Sequence, residues 1–148
     1  MIFIPEKFRI EELLPEKFFN QYMHYGERLW LVIDYRISYT LHRLRTRYGS
    51  TTINNWIFGG HYQHSGFREF QDQEALNKPN RMTLSQHLFG RAMDAKFKNY
   101  TAEEVRQDIL KEPFHEDFKY ITCLEKNVSW LHFDTRNHDK DKRGILIV

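Results

Sequence analysis

The chain has 148 residues, the size of one ordinary domain. Its 22 basic and 20 acidic side chains leave a net charge of +2, which excludes the strong basic excess typical of nucleic-acid-binding proteins. Hydrophobic residues make up 41% of the chain and aromatic residues 16%, enough for one packed core. No apolar run approaches the ~20 residues of a membrane-spanning helix, so we expect no membrane insertion.

Cys123 is the only cysteine, so the fold contains no internal disulfide bond. The first residues lack the basic and apolar regions of a signal peptide. We therefore expect synthesis in a reducing cytoplasm, and a single domain that spans residues 1–148 as a monomer.

The first half of the chain has helical patterns. Pro15 predicts the start of a short helix that runs to about Tyr22. Apolar side chains recur at helical spacing over residues 27–48, which predicts one amphipathic helix. Gly49 is typical of the residue that caps such a helix at its C-terminus.

The second half has the patterns of short strands with one helix between them. Thr101 and Glu104 form a capping box that predicts a helix ending before Pro113. A long polar loop is expected over residues 71–83. The predicted strands cover residues 51–58, 91–97, 118–124, 128–135 and 144–148. Together these elements predict an α+β fold in which N-terminal helices pack on a small antiparallel sheet.

Two segments place polar side chains where an ordinary core strand would not. His87 and Asp94 lie on either side of Gly90, and a tight turn at this glycine would bring both side chains to one point. In the strand expected over residues 128–135, His132 faces the side opposite to the apolar Leu131 and Phe133. Imidazole and carboxylate are good zinc ligands, and three of them leave a fourth tetrahedral position open for water.

Arg68 follows a turn at Ser65 and Gly66. An arginine beside a zinc site can bind a substrate carboxylate with two hydrogen bonds, or stabilise the oxyanion of a tetrahedral intermediate.

The order Ser-Gly-Phe-Arg, Ser-x-His-x-x-Gly-x-Ala-x-Asp and Trp-x-His-x-Asp resembles the D-Ala-D-Ala carboxypeptidase family of zinc peptidases. This family includes the vancomycin-resistance dipeptidases and many phage endolysin peptidases, and lysostaphin-type peptidases and the hedgehog signalling domain share its fold. The resemblance covers residues 54–136. It implies that His87, Asp94 and His132 bind Zn²⁺, that Arg68 contacts a substrate carbonyl or carboxylate, and that Ser85 can hydrogen-bond substrate.

The general base is the point at which the sequence departs from this family. Relatives commonly have a glutamate or aspartate three residues before the last zinc histidine, and Ser129 occupies that position here. Glu125 and Asp134 are the two carboxylates near enough in sequence to act instead. Hedgehog-type relatives place a glutamate further upstream, which favours Glu125, whereas relatives with His-x-Asp indicate a supporting role for Asp134. The third alternative is that the site has no base.

The resemblance implies a metallopeptidase that cleaves a peptidoglycan stem peptide, at either a D-Ala-D-Ala or an L-Ala-D-Glu bond. We expect such a protein to act at the bacterial cell wall after release, as a phage lysis enzyme, or within a virion. The alternative is a non-catalytic binding or virion module that keeps the zinc site on the same fold. Two nitrogens and one oxygen also suit iron(II) or manganese.

Overall fold

The computed structural model describes residues 1–72 and 85–148. The α-helices of this part are α1 (Glu16–Tyr22), α2 (Tyr35–Tyr48), α3 (Ala102–Lys111) and α4 (Lys140–Arg143). The strands are β1 (Thr51–Thr52), β2 (Ala92–Phe97), β3 (Cys123–Leu124), β4 (Leu131–Asp134) and β5 (Leu146–Ile147). Short 3₁₀ helices cover Ile10–Glu12, Trp56–Phe58 and Gln86–Phe89, and Met23–Val32 comprises two helical pieces with a kink at Gly26.

The five strands form one sheet in the order β1-β2-β4-β3-β5. Every neighbouring pair is antiparallel except β3 and β5, which run parallel at one edge. The predicted α+β class is confirmed, as are the short helix after Pro15 and the capping box at Thr101. Within residues 1–72 and 85–148, no helix is long and apolar enough to cross a membrane.

The prediction of one helix over residues 27–48 was wrong, because this part of the chain forms two helical segments with a break between them. The 3₁₀ segment ends at Val32, Ile33 is extended, and Asp34 caps α2 by accepting a hydrogen bond from the backbone N–H of Arg36 at 3.0 Å. Both segments place their apolar side chains in the same core, so the apolar spacing continues across the break. Gly49 caps α2 as predicted, with a φ of 81°.

The strand predicted over residues 51–58 was also wrong beyond Thr52. Asn54 leaves the sheet because its backbone N–H donates to the carbonyl of Glu12, and Trp56–Phe58 forms a 3₁₀ turn. The loop predicted over residues 71–83 lies outside the described residues from position 73 onward.

The two faces of the sheet differ sharply in chemistry. Met93, Ala95, Leu131 and Phe133 point into the hydrophobic core, to which α2 and α3 also contribute. The residues that alternate with them point to the opposite face, and these are polar or charged in the middle of the sheet. The strand alternation therefore separates the core from the candidate site.

Gly90 joins the 3₁₀ helix that carries His87 to β2. Its φ is 65°, and an added Cβ would lie 1.9 Å from the carbonyl oxygen of Val32. The carbonyl of Gly90 also accepts a hydrogen bond from the N–H of Asp34 at 3.0 Å. Only a glycine combines this left-handed conformation with such a close backbone approach.

We predict that Gly90→Ala lowers the free energy of unfolding by about 2–5 kcal/mol, because it adds a backbone clash to left-handed strain. Gly144→Ala is the matched control, since Gly144 has a φ of 70° but no atom within 4 Å of an added Cβ. This control should cost only the strain, about 1–2 kcal/mol. Urea unfolding of both variants measures the difference, and equal losses would contradict the role of the close approach to Val32.

Candidate metal centre

His87 is held in place by a carbonyl group. Its side chain is buried, and its Nδ1 lies 2.7 Å from the carbonyl oxygen of Gly66, so Nδ1 carries the proton that this bond needs. The unprotonated Nε2 faces Asp94, at 3.4 Å from Oδ1. Burial lowers the pKa of His87, which favours the neutral ring. A neutral imidazole with a fixed tautomer is the form that binds a metal ion.

The N-terminal segment supports the loop that supplies this carbonyl. An added Cβ at Gly66 would lie 2.2 Å from the carbonyl oxygen of Leu13, so the two backbones pack directly against each other. The buried Asn54 donates from Nδ2 to the carbonyl of Leu14 at 3.1 Å and accepts from the N–H of Ser65 at 2.9 Å. The backbone of Leu13 and Leu14 therefore supports the loop whose Gly66 carbonyl orients His87.

Asp94 lies at the centre of the cluster, in the middle of β2. Its Oδ1 is 2.7 Å from Nδ1 of His132, and its Oδ2 accepts a hydrogen bond from Arg68 at 3.0 Å. Burial raises the pKa of Asp94, but the hydrogen bonds with His132 and His87 outweigh it and hold the pKa well below its usual range. Asp94 is therefore an ionised carboxylate at neutral pH.

His132 lies directly opposite Asp94 in the pairing of β4 with β2. Its Nε2 is 3.1 Å from Oδ2 of Asp134, and Arg136 donates to both oxygens of that fully buried carboxylate. Burial lowers the pKa of His132, but the hydrogen bonds with Asp134 and Asp94 outweigh it and raise the pKa to about 9. The ring is held with Nε2 towards Asp134 and Nδ1 towards Asp94, and a metal ion that binds Nδ1 would displace a proton.

His87, Asp94 and His132 could hold a metal ion, because one ligand atom from each lies within 4.8 Å of the other two. Ligands of a tetrahedral zinc ion, at bond lengths of 2.0–2.2 Å, are about 3.4 Å apart. The separation of His87 Nε2 from Asp94 Oδ1 is 3.4 Å. Two imidazole nitrogens and one carboxylate oxygen fill three positions, and a fourth would stay open for water or substrate.

The pairing of β3 with β4 also brings Glu125 close to this group. Cys123 pairs with Asp134 and Leu124 with Phe133, so the next pair sets Glu125 opposite His132. The backbone N–H of Glu125 donates to the carbonyl of His132 at 3.4 Å, as this register requires. Paired side chains on one face of a sheet have Cβ atoms about 4.5–5.5 Å apart. Glu125, His132 and Asp94 therefore form a row across three strands.

Arg68 lines a cavity of about 270 Å³ together with Asp94, His61 and His64. Burial lowers the pKa of Arg68, and the charges of Asp94, Asp72 and Glu125 act in the opposite direction. Arg68 therefore both borders the cavity and contacts the candidate metal group through Asp94.

The two serines singled out in the sequence lie away from this cavity. Ser85 stands at the start of the 3₁₀ helix that carries His87, and it is absent from the described residues that line the cavity. Ser129, at the position where relatives have the base, is exposed.

Arg106 is a buried arginine that the sequence analysis did not identify. Only 3% of it is exposed, and it donates to the carbonyls of Glu125, Val128 and Trp130 at 3.0–3.3 Å. It also forms an ion pair with Glu103. One guanidinium group therefore fixes the backbone that leads from Glu125 to the strand of His132.

A signal for Arg106 was present in the sequence. The residue lies four positions after Ala102 and three before Ile109, on the buried face of α3. A charged side chain on the apolar face of an amphipathic helix is unusual unless it has buried partners.

We predict that wild-type protein binds about one equivalent of a divalent metal ion, and that His87→Ala, Asp94→Ala and His132→Ala each remove most of it, because two ligands hold an ion poorly. Elemental analysis after dialysis against zinc measures the bound metal. His61→Ala and His138→Ala, which change histidines outside the group, should retain it. Undiminished uptake by the three ligand variants would show that the metal binds elsewhere.

We also predict that Arg106→Met speeds amide hydrogen exchange over residues 125–130 and lowers the free energy of unfolding by about 2–4 kcal/mol, because three carbonyls lose a buried donor. Arg143→Met, which changes an exposed arginine, is the control and should change neither quantity. Unchanged exchange in Arg106→Met would mean that the segment is held by other contacts.

Comparison with known proteins gave no match for this chain. No protein-family model matches it, and neither do any curated protein or any solved structure.

Proposed function

We propose that this protein is a zinc peptidase that hydrolyses peptide bonds in the stem peptides of bacterial peptidoglycan. The observation that carries the proposal is the row of Glu125, His132 and Asp94, which sets the carboxylate of Glu125 beside a group able to hold a metal ion. The two nitrogens and one oxygen of the group suit zinc, and the motif order favours zinc over iron(II) or manganese.

A zinc ion on these three side chains would polarise the substrate carbonyl and lower the pKa of a bound water from 15.7 towards about 7. Glu125 accepts the proton of the attacking water and returns it to the leaving amine. Within the described residues, the carboxylate of Glu125 has no hydrogen bond or ion pair closer than 4 Å, so it is free to take this proton. Ser129 cannot replace it, because a hydroxyl group is not a base at neutral pH.

Asp134 is the weaker candidate for the base. Its oxygens already accept hydrogen bonds from His132 and Arg136, and its side chain is completely buried. Burial raises the pKa of Asp134, but those hydrogen bonds outweigh it and lower the pKa, which makes the group a poor proton acceptor. We assign it the role of orienting His132.

Arg68 donates either to the oxyanion that develops on the attacked carbonyl or to a carboxylate of the substrate. One of its nitrogens is bound to Asp94, so the guanidinium is held rigidly beside the reacting group. The bond cleaved is D-Ala-D-Ala or L-Ala-D-Glu, and the setting is a phage lysis enzyme or a virion component.

We predict that Glu125→Gln lowers the rate of stem-peptide cleavage about 10²–10⁴-fold, the usual contribution of a general base, without reducing the zinc content. Release of free amine from a synthetic stem peptide measures the rate, and elemental analysis measures the zinc. Glu27→Gln removes the same charge from an exposed residue and should retain full activity.

The result also separates the proposal from a non-catalytic module. Full activity in Glu125→Gln would refute the assignment of the base. A zinc-loaded wild-type protein that releases no amine from any stem peptide would refute the peptidase and favour a binding or virion role, for which Ser129 at the usual base position is the supporting observation.

A further inference from the structure

Lys96 lies beside the candidate metal group, in the same strand as Asp94. It follows Asp94 by two residues in β2, so both side chains project from the same face. Asp94 pairs with His132, and the same register continued beyond β4 sets Lys96 opposite Trp130. Lys96 and Trp130 both line the cavity that contains Arg68 and Asp94.

Two cavities meet at Lys96. The cavity of about 270 Å³ extends from Lys96 towards Arg68 and the loop of His61 and His64. A second cavity of about 490 Å³ extends from Lys96 in another direction, towards Tyr100 and Ser129. An elongated ligand that occupies both cavities would therefore pass over this ammonium group.

Among the described residues, the ammonium group of Lys96 has no anionic partner. Its Nζ lies 3.5 Å from the centre of the Tyr62 ring, a cation–π contact that holds the charge over the cavity. Within residues 1–72 and 85–148, no carboxylate lies within 4 Å of it. The indole Nε1 of Trp130 is buried and likewise lacks an acceptor among these residues.

Asp94 is the only carboxylate among the described residues that line the cavity, and it is already engaged. Both oxygens of Asp94 contact Arg68, His87 or His132. Among the described lining residues, Lys96 and the indole N–H of Trp130 thus offer positive charge and a hydrogen-bond donor without an anionic partner, which is an arrangement that can bind a carboxylate.

We propose that Lys96 binds a carboxylate of the peptide substrate close to the cleaved bond, so that the site selects acidic stem peptides. This inference rests on the proposed function and names the substrate group that the site recognises. A two-residue step along a strand is about 7 Å, the length of about two residues of an extended peptide. The carboxylate therefore lies within about two residues of the bond that is cut.

Two carboxylates of a stem peptide meet this condition. One is the α-carboxylate of D-Glu, next to the L-Ala-D-Glu bond, and the other is the C-terminal carboxylate, next to the D-Ala-D-Ala bond. The probes are therefore the peptide L-Ala-γ-D-Glu-L-Lys-D-Ala-D-Ala and two derivatives of it, one amidated at each of these positions. Isothermal titration calorimetry on zinc-free protein measures their binding without hydrolysis.

We expect the wild-type protein to bind one of the two amides about tenfold more weakly than the free acid, as the loss of a charge-assisted hydrogen bond predicts. Lys96→Gln should bind the free acid as weakly as that amide, and Lys96→Arg should restore the preference. Lys98→Gln, which removes the same charge from an exposed residue two positions later, should behave as wild type. The sensitive amide identifies which carboxylate Lys96 binds.

Equal binding of all three peptides by the wild-type protein, absence of binding to any of them, or an unchanged preference in Lys96→Gln would each overturn the inference. Cleavage by the zinc-loaded protein is measured separately. A protein that prefers the free acid through Lys96 but releases no amine would refute the peptidase while leaving the carboxylate site in place.

Discussion

The antiparallel pairing of β2 with β4 is the constraint on which the candidate site depends. It sets Asp94 directly opposite His132, and the pairing of β4 with β3 then brings Glu125 into the same row. A slip of one residue in either pair would turn these side chains into the core and expose Phe133. The core fixes the register, because Met93, Ala95, Leu131 and Phe133 are all completely buried on the other face. Hydrophobic burial therefore determines which polar groups meet.

Hydrogen bonds then orient the side chains that the sheet brings together. Gly66 fixes the tautomer of His87, Asp134 turns His132, and Arg68 takes the second oxygen of Asp94. Each of these contacts leaves one ligand atom directed at a common point. Such outer contacts commonly decide how well a site binds metal, because a ligand held in the correct orientation loses less entropy on binding.

Much of the site could be predicted from the sequence because short sequence patterns determine where its residues lie. The alternation around His132 and the turn at Gly90 follow from short patterns, and the structure brings His87, Asp94 and His132 together. The break before Asp34 could not be predicted from apolar spacing, since both helical segments serve one core. Arg106 was missed because its hydrogen bonds are to residues distant in the sequence, and the position of Lys96 against the ring of Tyr62 is likewise a tertiary contact that no short sequence pattern records.

The residues that carry the motifs depend on the support that Leu13 and Leu14 give to the site. The motifs all lie after residue 54, yet the loop of Gly66 packs against the backbone of Leu13, and Asn54 donates to the carbonyl of Leu14. A fragment that begins at residue 54 would therefore lack the backbone that supports the loop of Gly66. The opening segment is constrained in two ways, because Leu13 and Leu14 bury their side chains in the core while their carbonyl groups support the loop of Gly66.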